Sequence, residues 1–159
     1  MVLSVLIVFI ILYIYLKYPQ VFEFKNNFRN GRYIRLERET GTDAINFANF
    51  IIHDEDGALI HPTELSVNPA IAFGDGRVPK SKAGDVTDII LIETTNTSTP
   101  YIEYDLGTTR KISNVVIINR KKFGQRMQKT VLRVLDDDRN QIFEKKISEL
   151  LDIYSINIS

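Results

Sequence analysis

The chain contains no cysteine, which removes disulfide stapling, thiolate catalysis and cysteine-ligated zinc. It has no excess of either charge: 20 basic and 20 acidic residues give a formal net charge of zero. A duplex-binding domain carries a basic excess, because phosphate neutralisation supplies most of its affinity, so nucleic acid is not an expected partner. Histidine is scarce, and His53 and His61 have no serine nucleophile near them in a recognisable context. No phosphate-binding glycine loop is expected, since the residues around Gly74-Asp75-Gly76 read as neither a strand before it nor a helix after it. No nucleophile, acid–base pair or metal cluster emerges, so an enzyme is not expected. The sequence also lacks a convincing amphipathic helix, an internal repeat and a low-complexity tract. What remains is 159 residues with 44% hydrophobic and 25% charged content, enough for one domain of ordinary size and a short appendage.

The appendage is N-terminal. Residues 1–16, MVLSVLIVFIILYIYL, carry no charged side chain. Counted to Tyr18, a helix rising about 1.5 Å per residue spans about 27 Å, close to a thin hydrocarbon core. Lys17 can snorkel to the headgroups, Tyr18 suits the interfacial belt and Pro19 stops the helix. A cleaved signal peptide would want a basic residue before the apolar run and small residues at its end, and neither is there. Residues 1–18 are therefore expected to be a single-pass anchor in a lipid bilayer and residues 19–31 a juxtamembrane connector. Lys17, Lys25, Arg29, Arg32 and Arg35 all follow the span, which places the remaining domain on the cytosolic or virion-interior side. Two glycosylation sequons, at Asn96 and Asn157, point the other way; the charge bias carries more weight.

From residue 32 onward the period is that of strands. Residues 33–38 alternate, residues 45–53 resume after a turn, and Asp54-Glu55-Asp56-Gly57 closes them with a hairpin signal. Residues 58–60 read as a short return strand. Residues 62–84 form a long stretch with Pro69, Gly74, Gly76, Pro79 and Gly84, a binding surface or a run of irregular turns. Residues 86–93 recover apolar character and residues 94–99 are a polar loop. Residues 101–106 and 112–120 read as two strands joined across Asp105-Leu106-Gly107, the second apolar on both faces as a mid-sheet strand should be. Residues 130–135 and 141–147 pair across the acidic turn 136–140. Short strands with a turn every ten or so residues make a β-sandwich the default fold. The runs Asp54-Glu55-Asp56 and Asp136-Asp137-Asp138 sit where hairpins need polar turns and continue into no calcium-loop pattern. Arg120, Lys122 and Arg126 close a mid-sheet strand and enter a loop with Gly124, where guanidinium groups can fork onto hydroxyls, carboxylates or phosphates or simply be solvated.

Residues 100–107, PYIEYDLG, followed by residues 112–120, ISNVVIINR, resemble the signature of the galactose-binding-like, discoidin-type domains. Gln125-Arg126-Met127 with residues 131–136, VLRVLD, is similar to the next element of that family. Residues 32–36 and 44–50 are similar to its first strands. The resemblance covers most of the chain from Arg32 onward, and lies nearest to the fucose-binding lectin branch and its relatives in large DNA viruses. It implies an all-β, eight-stranded jelly-roll sandwich over residues 32–159, with no catalytic residues and a ligand site in the loops at one end. In the lectin branch a histidine and two basic residues grip a sugar, and loop oxygens hold a structural calcium. Arg120 matches the first basic residue and Arg126 the second. Lys122 stands where the branch has an aspartate, and the histidine position falls at Glu93. Asp88 matches the loop aspartate near the calcium, and is the one metal candidate. The branch's paired cysteines are absent, and Asn49 replaces a strand acid. The expected function is thus a membrane-anchored, non-catalytic binding module, with a glycan or a protein as ligand. The alternative is a structural component of a viral membrane that takes no small molecule.

Overall fold

The computed structural model describes residues 28–82 and 84–158. The expected anchor and the connector up to Asn27 lie outside them, and among the described residues no helix is long and apolar enough to cross a membrane. The strands are β1 (Arg29–Arg38), β2 (Asn46–Phe47), β3 (Asn49–Asp54) and β4 (Glu64–Asn68). Then come β5 (Ile71–Gly74), β6 (Lys80–Lys82), β7 (Asp85–Ile90) and β8 (Ile92–Thr94). The chain closes with β9 (Tyr101–Ile118), β10 (Thr130–Leu135), β11 (Gln141–Ile147) and β12 (Ile153–Asn157). The all-β expectation holds, with antiparallel pairing throughout.

The organising element is β9. Its first half runs between β1 and β4, pairing Tyr104 with Ile34 on one side and with Leu65 on the other. Its second half runs between β12 and β3, pairing Ile117 with Tyr154 and with Phe50. Beyond β1 the sheet continues through β10 to β11. A separate sheet in the order β2-β8-β5 and a β6–β7 hairpin complete the sandwich. One apolar cluster unites them: Ile34, Phe47, Ile92, Ile102, Ile117 and Leu132 are all buried within it.

The two strands expected across Asp105-Leu106-Gly107 are one 18-residue strand with a bulge. Tyr33 faces Asp105 and Gly31 faces Arg110, so four residues of β9 stand against Arg32 alone. Gly107 supplies the left-handed backbone at φ +80°, which a side chain would resist. Arg32 pins the bulge with both ends of its guanidinium fork on Asp105, at 3.0 and 3.1 Å, and Asp105 accepts from the Gly107 amide at 2.7 Å.

Several boundaries differ from the sequence pattern. β1 starts at Arg29, inside the expected connector, because Arg29 and Asn30 find ladder partners on β9. The strand expected over 45–53 breaks at Ala48, where the chain leaves β8 for β9. The return strand at 58–60 is reduced to one bridge, His53 to Leu59. Residues 62–84 contain three strands, all short, which is why no period showed. The acidic runs do form turns: Asp54 Oδ1 accepts from the amides of Asp56 and Ala58, and Asp136 Oδ1 from that of Asn140.

Candidate functional site

At the end of the sandwich where β9 stops, the chain must turn sharply. Asn119 organises the turn: Oδ1 accepts from the Arg120 amide at 2.9 Å, and Nδ2 donates to the carbonyls of Gly124 and Leu151 at 3.1 and 2.9 Å. A single 3-10 turn, Gly124–Met127, follows. Arg38 of β1 supports it from below, its guanidinium donating to the carbonyls of Arg126 and Gln128. Burial holds the Arg38 pKa below its ordinary value, although the group remains a cation at any working pH.

All five residues singled out from the sequence meet here. Arg120 is buried, its side chain 3% exposed, and lays a two-pronged fork on Asp88 of β7 at 2.7 and 2.8 Å. Its remaining arm reaches Glu93 of β8 at 3.4 Å. Arg126 donates to the other Glu93 oxygen at 2.8 Å, and Lys82 of β6 also holds Glu93. Lys122 donates to Asp85 at 2.6 Å. The hydrogen bond from Arg120 draws the Asp88 carboxyl below the usual carboxylate range, overcoming burial that opposes it, and raises Arg120 in turn. The bond to Asp85 likewise raises the Lys122 ammonium.

This geometry sets where Arg120 and Asp88 lie. Arg120 does not project from the rim; it is the buried tie between β9 and the β7–β8 segment. The Asp88 carboxylate accepts one hydrogen bond from Arg120 on each of its two oxygens. Among the described residues no group of three or more His, Asp or Glu stands together in a way that could hold a metal ion.

The residue that the sequence reading passed over is Phe123. It adopts φ +60° and is 51% exposed. The guanidinium carbons of Arg120 and Arg126 lie 5.1 and 4.9 Å from its ring centroid, within cation–π range. Lys82 and Asp85 were also missed. An aromatic between Lys121-Lys122 and Gly124-Gln125-Arg126 was the available signal, since a lone Phe in a basic loop has no core to enter. The outer surface of the site therefore consists of the Phe123 ring, Lys122, Lys121 and the exposed flank of Arg126, over a neutralised interior.

Compared with protein-family models, curated proteins and solved structures, the chain matches none.

Proposed function

We propose that residues 32–159 form a jelly-roll sandwich of the galactose-binding-like kind, acting as a non-catalytic binding module anchored by residues 1–18. Its contact surface is the loop end around Phe123, and its ligand class is a polyhydroxylated or acidic group such as a glycan. The observation that supports this reading is Phe123 itself. A bulky residue at positive φ is strained, and such strain persists where a function needs the side chain where it is. The exposed ring offers an apolar platform with Lys122 and Arg126 as donors at its edge, a pairing that suits a sugar ring, while Glu93 lies beneath and holds Arg126 in place. Arg120 and Asp88 act beneath it, as positioning residues.

A glycan array probed with the full chain in lipid nanodiscs tests the reading, with Phe123→Asn as the diagnostic variant. Asparagine tolerates the left-handed backbone better than phenylalanine, so the variant should melt no lower than the parent while losing at least tenfold in binding. Retained binding by Phe123→Asn, or a clean negative array with an intact fold, would sink the glycan assignment. The second reading, a protein-contact component of a membrane assembly, is favoured by the exposed Leu150, Leu151 and Ile153, which adjoin the Asn119 turn. Membrane orientation separates the two. Glycans meet this surface only if the domain is exported, so protease protection in sealed microsomes supports the first reading. Digestion agrees with the basic residues after the span and supports the second.

A further inference from the structure

The outer face of the sheet formed by β10, β1, the first half of β9 and β4 carries a lattice of ion pairs. Arg35 donates to Glu103 at 2.8 and 2.7 Å, and Arg139 reaches the same carboxylate at 3.0 Å. Arg133 holds both Glu37 and Glu144. At the loop end of this face a cavity of about 440 Å³ opens, a volume within the range of ligand pockets. Tyr101 lines it, with Glu37 of β1 opposite on one side and Asn68 of β4 opposite on the other. Their sequence neighbours Ile102, Leu36 and Val67 pack in the core, so these three side chains stand on the outer face. Arg35 and Arg133 line the cavity from the next row, and Thr99 from the chain before β9.

Three polar groups at this cavity are not used by the fold. The Tyr101 hydroxyl, the Asn68 amide and the Thr99 hydroxyl have no hydrogen-bond partner among the described residues. None of them is a buried orphan; Thr99 is exposed, and Tyr101 and Asn68 are half-buried. Thr99 also sits at φ +52°, an outlier for a β-branched residue. Pro100 follows it, and a proline pushes the residue before it toward extended backbone. Strain of this kind gathers where a function needs a side chain held in place. The Tyr101 ring is braced as well, since the Arg35 guanidinium carbon lies 4.5 Å from its centroid.

Two hydroxyls and an amide can each both donate and accept. An anion calls for donors alone and a cation for acceptors alone, and the charges at this cavity that could serve them are already paired: Arg35 with Glu103, and Arg133 with Glu37. Ligand hydroxyls, which also donate and accept, are the natural complement. We propose that this cavity is a binding site for a small uncharged polyol, the size of one sugar ring or one inositol, held by Asn68, Thr99 and Tyr101. The site lies apart from the Phe123 surface and does not rest on the reading of that surface.

myo-Inositol, methyl β-D-glucopyranoside and glucuronate are the probes, titrated into the full chain in lipid nanodiscs and followed by saturation-transfer NMR. Phe123→Asn is titrated beside the parent, because it removes the loop-end surface. A neutral polyol should bind both proteins alike, with an affinity unchanged between low and high salt, since no unpaired charge takes part. The tighter of the two neutral probes separates an inositol from a sugar. Tyr101→Phe should weaken binding several-fold at an unchanged melting point, because it removes only an unpaired hydroxyl. Thr99→Gly should also weaken binding several-fold while melting no lower than the parent, since glycine adopts the left-handed backbone without strain. The assignment is overturned if neither polyol binds at tens of millimolar. It is equally overturned if binding is lost in Phe123→Asn, which would place it at the loop end. Tighter, salt-sensitive binding of glucuronate would make this an anion site and also defeat it, as would unchanged affinity in Tyr101→Phe and Thr99→Gly.

Discussion

Arg120 is the residue on which the loop end depends, and its role follows from its burial. An exposed arginine beside two carboxylates contributes little, since water competes for each partner. Arg120 is instead enclosed with Asp88 and Glu93, so removing it strands Asp88 in a poorly solvated place, while Glu93 keeps Arg126 and Lys82. Arg120→Met should therefore cost about 3–5 kcal/mol in denaturant unfolding, and adding Asp88→Leu should restore part of that loss; additive losses would show that the pair does not couple. The same pair sets an acid limit. The folded Asp88 pKa is depressed, as is that of Asp105 under Arg32, so their stabilisation is complete above the unfolded value near 3.9 and is lost as pH falls through the folded values. The melting point should stay level from pH 7 to about 5 and fall below about 4, with a shallower fall in Asp88→Asn. A fall that begins near pH 6 would assign the acid limit to other groups. The sequence made these residues legible as a set but not in their roles. Arg120, Lys122, Arg126, Glu93 and Asp88 are brought together by strand ends distant in the chain, and whether a charge faces water or another charge is settled only when those ends meet.

β9 shows what a periodic pattern can and cannot reveal. The alternation in residues 101–106 and the apolar run at 112–118 were readable because Ile102, Tyr104, Leu106, Val115 and Ile117 enter the core from one face of the strand, while Val116 and Ile118 on the other face are half-buried. The continuity between them was not, because the bulge moves side chains out of phase and Gly107 mimics a turn. The short strands in residues 71–82 were invisible for a different reason, since three or four residues hold too few side chains to establish a period. The bulge itself is open to test. A Cβ on Gly107 would meet Thr63 Cγ2 at 3.0 Å and Oγ1 at 3.1 Å, on a backbone at φ +80°. Gly107→Ala should thus destabilise by more than about 1 kcal/mol. Thr63 also donates to the Asp105 carbonyl at 3.1 Å, which serine can still do. Thr63→Ser should accordingly recover the share of the Gly107→Ala loss that comes from Cγ2 and leave the Oγ contact and the backbone part. Full recovery would mean that crowding, not conformation, is why glycine is needed.

At the scale of the whole molecule, one strand carries the connectivity: β1, β3, β4 and β12 all pair with β9, and the apolar cluster draws on both of its halves. Opening β9 opens the domain, so the amides of Ile102, Tyr104, Val115 and Ile117 should exchange only through global unfolding. The β6–β7 hairpin is the opposite case. Its strands pair with each other and with no other strand among the described residues, and an isolated two-stranded hairpin is marginal in water. What fastens it to the body is the burial of Ile90 at the end of β7 and the fork from Arg120 to Asp88, aided by Lys122 to Asp85 and Lys82 to Glu93. The hairpin should exchange faster than β9 in the parent chain. In Arg120→Met its acceleration should exceed that of the β9 amides, because the variant releases a local tie as well as lowering global stability. Equal acceleration of hairpin and β9 would make the two a single cooperative unit, and the loop end would then be a rigid extension of the sandwich, not a segment tied to it by charge.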